Sequence, residues 1–177
     1  VLVRSAVACA RAAFDEWRNV SIARRTKLLH EFRSLVVANA DEIAARLTAE
    51  HGKVGDDARG EVARGIENIE FACGLADALK GTYSEQASTG VDVYTVRQPL
   101  GVCAGTTPLT FPVMVPLWMF PHAVPCGHTS ILKTSYPDPS APSFVVALAH
   151  VASVPPLALN LVTAAASSAL PLPSPPR

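Results

Sequence analysis

The sequence predicts an α/β chain in which a layer of amphipathic helices precedes the first strands of a parallel sheet. Charge and proline are segregated: of the 15 basic and 15 acidic residues only Lys133, Asp138 and Arg177 lie beyond Pro99, and all 15 prolines are at Pro99 or later. Ahead of that seam apolar residues recur at helical spacing; after it, short apolar runs bounded by glycine read as buried strands. Residues 95–140 then run strand, Gly-Thr-Thr-Pro turn, apolar proline-loaded segment, strand and lone lysine. That is the order of a nucleotide-binding unit.

Ser5 to Trp17 is alanine-rich and short-periodic, a predicted helix with Phe14 and Trp17 on one face. Ser21 caps a longer helix in which Leu28, Leu29, Phe32, Leu35 and Val36 recur. Asp41 is expected to cap a third, Glu42 to Glu50, which stops at Gly52. Asp56 and Asp57 open a fourth, with Val62, Ile66, Ile69 and Cys73 in step, closed by Lys80-Gly81. Gly81 to Gly90 reads as a polar connector. Val91 to Arg97 alternates and is rich in β-formers, a strand with one wet face. Gly101 to Gly105 reads as a buried parallel strand, Thr129 to Lys133 as a second, and Leu157 to Val162 as a third after a helix over Ser143 to Val151. Phe111 to Gly127 is long and apolar enough to raise a membrane span. Its four prolines, His122 and the absence of basic flanks favour a kinked helix packed on the sheet. The tail 164–177 is small-residue and proline-rich, which predicts disorder.

Zero formal net charge and no basic stripe exclude a charge-driven nucleic-acid partner. Four scattered cysteines without a C-x-x-C pair, and five histidines without ligand spacing, exclude a disulfide framework and a metal centre. The chain opens on Val1, so it offers no reading of targeting signals.

From Arg11 to about Val162 the phrases AAFDEW, AEHGK, GEVARGIENIEFA, TYSEQASTGVDVYTVRQPLGVCAG and FPVMVPLWMFP resemble the aldehyde dehydrogenase superfamily, within it the CoA-acylating methylmalonate-semialdehyde branch. The resemblance covers most of this chain and rather less than half of a family member. It implies a Rossmann-type NAD-binding domain, a catalytic domain and an oligomerisation arm. On this chain it places N-terminal helices over 1–90, a strand of the arm over 91–98 and a partial β-α-β-α-β cofactor unit over 99–163. The implied reaction begins with a cysteine thiolate attacking a semialdehyde; hydride passes to NAD and CoA accepts the acyl group. Full-length relatives are expected to be homo-oligomers, dimers or tetramers, without membrane or nucleic-acid partners. They would sit in the cytoplasm of bacteria or the mitochondrial matrix of eukaryotes.

The same resemblance implies residue roles. Lys133 matches the strand-terminal lysine that binds the adenosine ribose; a plain solvated lysine is the competing reading. Thr107 and Leu109, the latter replacing a phenylalanine, match positions lining the nicotinamide side. Arg64 matches an arginine used on the substrate carboxylate, as a planar charged fork suits. Its competing reading is a surface arginine paired with Glu61 or Glu67. Thr110 stands where the family's oxyanion asparagine belongs, and losing such a donor typically costs about a hundred- to a thousandfold in turnover. Tyr136 replaces a glutamate expected near the cofactor, Pro137 a commonly charged residue, and His128 an asparagine. Pro125 is a proline that the family helix does not need. No cysteine lies in the context of the nucleophile: Cys103 and Cys126 read as small core residues. These 177 residues alone are therefore expected not to oxidise aldehydes. The alternative is a diverged, non-catalytic nucleotide-binding or assembly module.

Overall fold

The computed structural model describes residues 2–163. Helices α1 (Leu2–Trp17), α2 (Ile22–Ala38), α3 (Ala40–His51), α4 (Gly55–Cys73) and the single turn α5 (Leu75–Ala78) come first. A hairpin of β1 (Tyr83–Ser88) and β2 (Val91–Tyr94) follows, then β3 (Val102–Thr106), α6 (Met114–Ala123), β4 (Thr129–Thr134), α7 (Ser140–Val151) and β5 (Leu159–Thr163). β3, β4 and β5 form one parallel sheet in that order, with Thr106 beside Lys133 and Lys133 beside Val162. This is the expected α/β architecture: parallel strands with helices on both faces.

The two faces can be read from β4, where successive side chains point opposite ways. Ile131 joins Ala10 of α1 and Val162 in a small cluster, while Leu132 enters the main core with α2, α3, α4, α6 and α7. Phe32, Leu117 and Leu132 are almost fully buried there, each contributing about 1.5–3 kcal/mol by leaving water. Phe32 meets Phe120 with ring centroids 5.5 Å apart and planes tilted by 53°. The Trp17 indole N–H donates to the Val124 carbonyl at 3.0 Å, tying α1 to the end of α6.

Several local readings hold. The Ser21 hydroxyl accepts the Arg24 N–H, and Gly52 ends α3 in the left-handed conformation at φ 85°. Others are corrected. α3 starts earlier, at Ala40 with Asn39 as its N-cap, and Asp41 sits in the first turn, near the positive end of the dipole. α4 stops at Gly74 rather than at Lys80-Gly81. The connector 81–90 contains strand β1, which pairs antiparallel with β2; both strands are exposed along their whole length, so β2 has no dry face. Gly81 closes the hairpin base, since a Cβ there would run into the Thr95 carbonyl. β3 is an edge strand of mixed exposure, not a buried one. α7 begins three residues earlier than expected, at Ser140.

The apolar segment resolves as a ten-residue α6 with one interior proline, Pro121. Pro112 and Pro125 lie outside it, and Pro116 falls in the first turn, where a missing N–H costs nothing. Pro121 frees the carbonyl of Leu117 four residues back. Asn68 of α4 takes that carbonyl, its amide donating at 2.7 Å. Among the described residues no helix is long and apolar enough to cross a membrane. The tail 164–177 lies outside the described residues.

Candidate functional site

β4 ends at the carboxyl edge of the parallel sheet, where ligands of α/β proteins bind. Lys133 stands there only 9% exposed, which corrects the reading of a solvated strand-end lysine. Its ammonium has no hydrogen-bond or ion-pair partner among the described residues, so its donors remain open to a ligand. Thr107 is buried beside it. Its N–H donates to the Lys133 carbonyl at 3.0 Å, and its hydroxyl approaches the same oxygen at 3.4 Å. Its main-chain carbonyl, not its N–H, is therefore the group left for a ligand. Leu109 is half-exposed, while Tyr136 and Pro137 are exposed with the Tyr136 ring 69% accessible.

The start of α6 departs from the dinucleotide-binding pattern, in which helix N-terminal amides cradle a pyrophosphate. Here Glu61 of α4, 3% exposed, supplies the anion instead: Oε1 accepts the N–H of Val113 at 2.9 Å and of Met114 at 3.1 Å. Its other oxygen pairs with Lys53.

Glu61 also decides what Arg64 can do. Because Glu61 is engaged by Lys53 and by α6, it does not pair with Arg64, and Glu67 forms no ion pair with Arg64 either. Arg64 is exposed, and its guanidinium is unpaired among the described residues. It lines a cavity of about 440 Å³ together with Lys53, Asp56, Asp57, Thr110 and Phe111. Sequence-expected residues 64 and 110, distant in the chain, thus share one cavity, while Lys133 and Thr107 form a second group at the sheet edge. A larger cavity of about 540 Å³, between the α1–α2 region and the 153–158 loop, holds none of the expected residues.

Cys73, Cys103 and Cys126 are half-buried, and burial raises each thiol above its ordinary range, so none is prepared as a thiolate. Burial also lowers the His128 pKa, and its neutral Nδ1 accepts the Leu100 N–H at 3.1 Å, a structural bond. No group of three or more His, Cys, Asp or Glu among the described residues is placed to hold a metal.

Sequence reasoning missed Lys53 and Glu61 as a unit. The signal was there: Glu61 falls on the apolar stripe of α4 with Ala58, Val62, Gly65, Ile69 and Ala72. A carboxylate on a buried stripe requires donors. It missed Asp138 as well, 1% exposed, with neither carboxyl oxygen receiving a hydrogen bond.

The malonate-semialdehyde dehydrogenase of Pseudomonas aeruginosa is 46% identical over 160 residues, 90% of this chain and 32% of that protein. A mitochondrial acylating methylmalonate-semialdehyde dehydrogenase of Arabidopsis thaliana is 46% identical over 159 residues, covering 90% and 26%. Among solved structures, the methylmalonate-semialdehyde dehydrogenase of Oceanimonas doudoroffii superposes with a TM-score of 0.92 at 42% identity, covering 94% of this chain and 34% of that one. A Sinorhizobium meliloti protein described as a methylmalonate-semialdehyde dehydrogenase complexed with NAD gives 0.89 at 40%, covering 92% and 33%. The chain spans between about a quarter and a third of the length of these relatives. The family model matching residues 2–171 is that of the aldehyde dehydrogenases, and the chain belongs to the aldehyde dehydrogenase family.

Proposed function

We propose that this chain carries the adenosine-side cofactor contacts and the carboxylate-binding arginine of an NAD-dependent, CoA-acylating malonate- or methylmalonate-semialdehyde dehydrogenase. The observation that carries the reading is the unpaired Arg64 beside Thr110. A semialdehyde bearing a carboxylate offers the two oxygens that a guanidinium fork holds bidentately, and the aldehyde end would then lie toward Thr110. NAD, when bound, accepts the hydride, and CoA is the acyl acceptor. Lys133 fits the cofactor's ribose hydroxyls because it is a largely buried side chain whose ammonium has no acceptor among the described residues, with the Thr107 carbonyl and Leu109 on the nicotinamide side and Tyr136 and Pro137 at the rim.

Thr110 presents a hydroxyl on a shorter stem than an amide and holds a developing oxyanion weakly. Because none of the four cysteines lies in the sequence context of the family's nucleophile, these 177 residues are not expected to turn over aldehyde by themselves. The compartment follows the source, cytoplasm in a bacterium or mitochondrial matrix in a eukaryote. The exposed β1–β2 hairpin is the surface through which a homo-oligomer would form, and it also favours a second reading, a non-catalytic assembly module.

Calorimetric titration separates the two readings. NAD binding that weakens at least tenfold in Lys133→Ala, together with malonate binding lost in Arg64→Ala, supports the enzyme reading. Absence of both, with retained self-association in light scattering, leaves the assembly module. NADH production from malonate semialdehyde and CoA by the isolated chain would overturn the claim of inactivity.

A further inference from the structure

Lys53 follows the left-handed turn at Gly52, and its ammonium meets acceptors of three kinds. Nζ donates to the Glu61 carboxylate and, at 2.7 Å, to the main-chain carbonyl of Thr110; it also stands 4.3 Å from the centroid of the Phe111 ring. Glu61 in turn caps α6 through the amides of Val113 and Met114. Val113, the N-cap, has no side-chain oxygen to do this itself. The four residues 110–111 and 113–114 are therefore gripped by two side chains from the α3–α4 corner. The Lys53 and Glu61 side chains are 13% and 1% exposed. Buried ions paired this way are sensitive to the loss of either partner, because the survivor is left uncompensated.

We propose that Lys53 and Glu61 are positioning residues for the segment carrying Thr110, Glu61 fixing the start of α6 and Lys53 fixing the Thr110 carbonyl in front of the cavity lined by Arg64. This rests on the reading of that cavity as the aldehyde site. The pair divides the work by chemistry. A carboxylate is needed where two N–H groups converge at a positive helix end, and a long flexible cation where a carboxylate, a carbonyl and a ring face must be bridged. An ion pair serving only global stability would have no reason to reach the Thr110 carbonyl.

The test uses the isotope-labelled 177-residue chain in solution. Amide hydrogen exchange at Val113 and Met114 and the methyl order parameter of Thr110 are measured in wild type, Lys53→Met, Lys53→Arg, Glu61→Ala and the milder Glu61→Gln. Positioning predicts at least tenfold faster exchange at Val113 and Met114 in Glu61→Ala, and a lower Thr110 methyl order parameter in Lys53→Met. Lys53→Arg should restore wild-type order, and core amides such as Ile43 and Val145, which report any loss of global stability, should accelerate at least tenfold less than Val113 and Met114 in Glu61→Ala. Unchanged exchange at Val113 and Met114, or acceleration shared equally by Ile43 and Val145, overturns the proposal. Titration of the wild type with NAD and malonate is scored separately, so failure of the functional reading and failure of the positioning pair give different results.

Discussion

At the scale of single residues, the group with the largest pH consequence is Asp138. No N–H or O–H of another residue reaches either of its oxygens, and its titrating neighbour is Glu50 near the end of α3. Glu50 itself accepts the Ser140 N–H at 2.8 Å and the Ser140 hydroxyl at 2.5 Å. Burial first, then Glu50, with Glu61 adding to it and Lys53 opposing, push the Asp138 carboxyl up to about 7. Its folded pKa lies above its unfolded one, so its contribution is complete below about pH 4 and disappears as pH rises through 7. Ser140 and Asp138 hold Glu50 low against its desolvation, which acts with the opposite sign and only in the acid range. Urea unfolding between pH 5 and 8 should show stability falling with pH, by at most about 1.4 kcal/mol per unit for one proton. Asp138→Asn should flatten that slope; an unchanged slope would refute the protonated carboxyl. Asp138 was legible only as one of three late charges, because its burial is created by α3 closing over the start of α7.

At the scale of elements, the contact of α4 with α6 is set by a missing side chain. A Cβ on Gly65 would collide with Leu117, whose own Cβ would be 3.3 Å away. Gly65→Ala should therefore destabilise by about 1–3 kcal/mol through overpacking, offset by at most about 1 kcal/mol of helix propensity. Gly60 is on the same helix and exposed, with nothing within 4 Å of an added Cβ. Gly60→Ala should stabilise by about 0.5–1 kcal/mol. Opposite shifts of the two denaturation midpoints check both statements. The neighbouring Asn68 carries a further one: Asn68→Ala removes the donor to the Leu117 carbonyl freed by Pro121, and should cost about 1–3 kcal/mol by chemical denaturation. Helical spacing revealed α2, α3 and α4, since 3.6-residue periodicity is a local property. It could not reveal why Gly65 and Asn68 stand on one face of α4, because the partners of both lie about fifty residues further on.

At the scale of the whole molecule, the core holds the sheet between α1 and the other helices, and the β1–β2 hairpin stands outside it. Tyr83, Val91, Val93 and Tyr94 are all about half-exposed or more. A lone two-stranded hairpin is marginal in water, and Tyr83 and Asp92 contribute only an exposed hydrogen bond at 2.8 Å. Val93→Lys combined with Tyr94→Ser should leave the thermal midpoint within a degree or two, because neither side chain touches the core. If the chain self-associates through the hairpin as proposed, the same change should abolish that association in light scattering; an unaltered oligomer would remove the hairpin from the interface. The hairpin also shows the limit of alternation as a signal. VDVY announced a strand, but YSEQAS, mostly polar, became one only by pairing with it.

The sequence by itself determined the order of helices and parallel strands, the position of Lys133 at a strand end and membership of a recognisable family. Those features follow from local periodicity, glycine and proline punctuation, and long shared phrases. Only the tertiary structure decided which charges are spent and which are free. Glu61, three residues from its candidate partner Arg64 on the same helix, turned instead toward Lys53 and the start of α6, leaving Arg64 open. The reason is physical. A buried carboxylate goes where the most donors converge, and two main-chain amides plus an ammonium outweigh one exposed guanidinium.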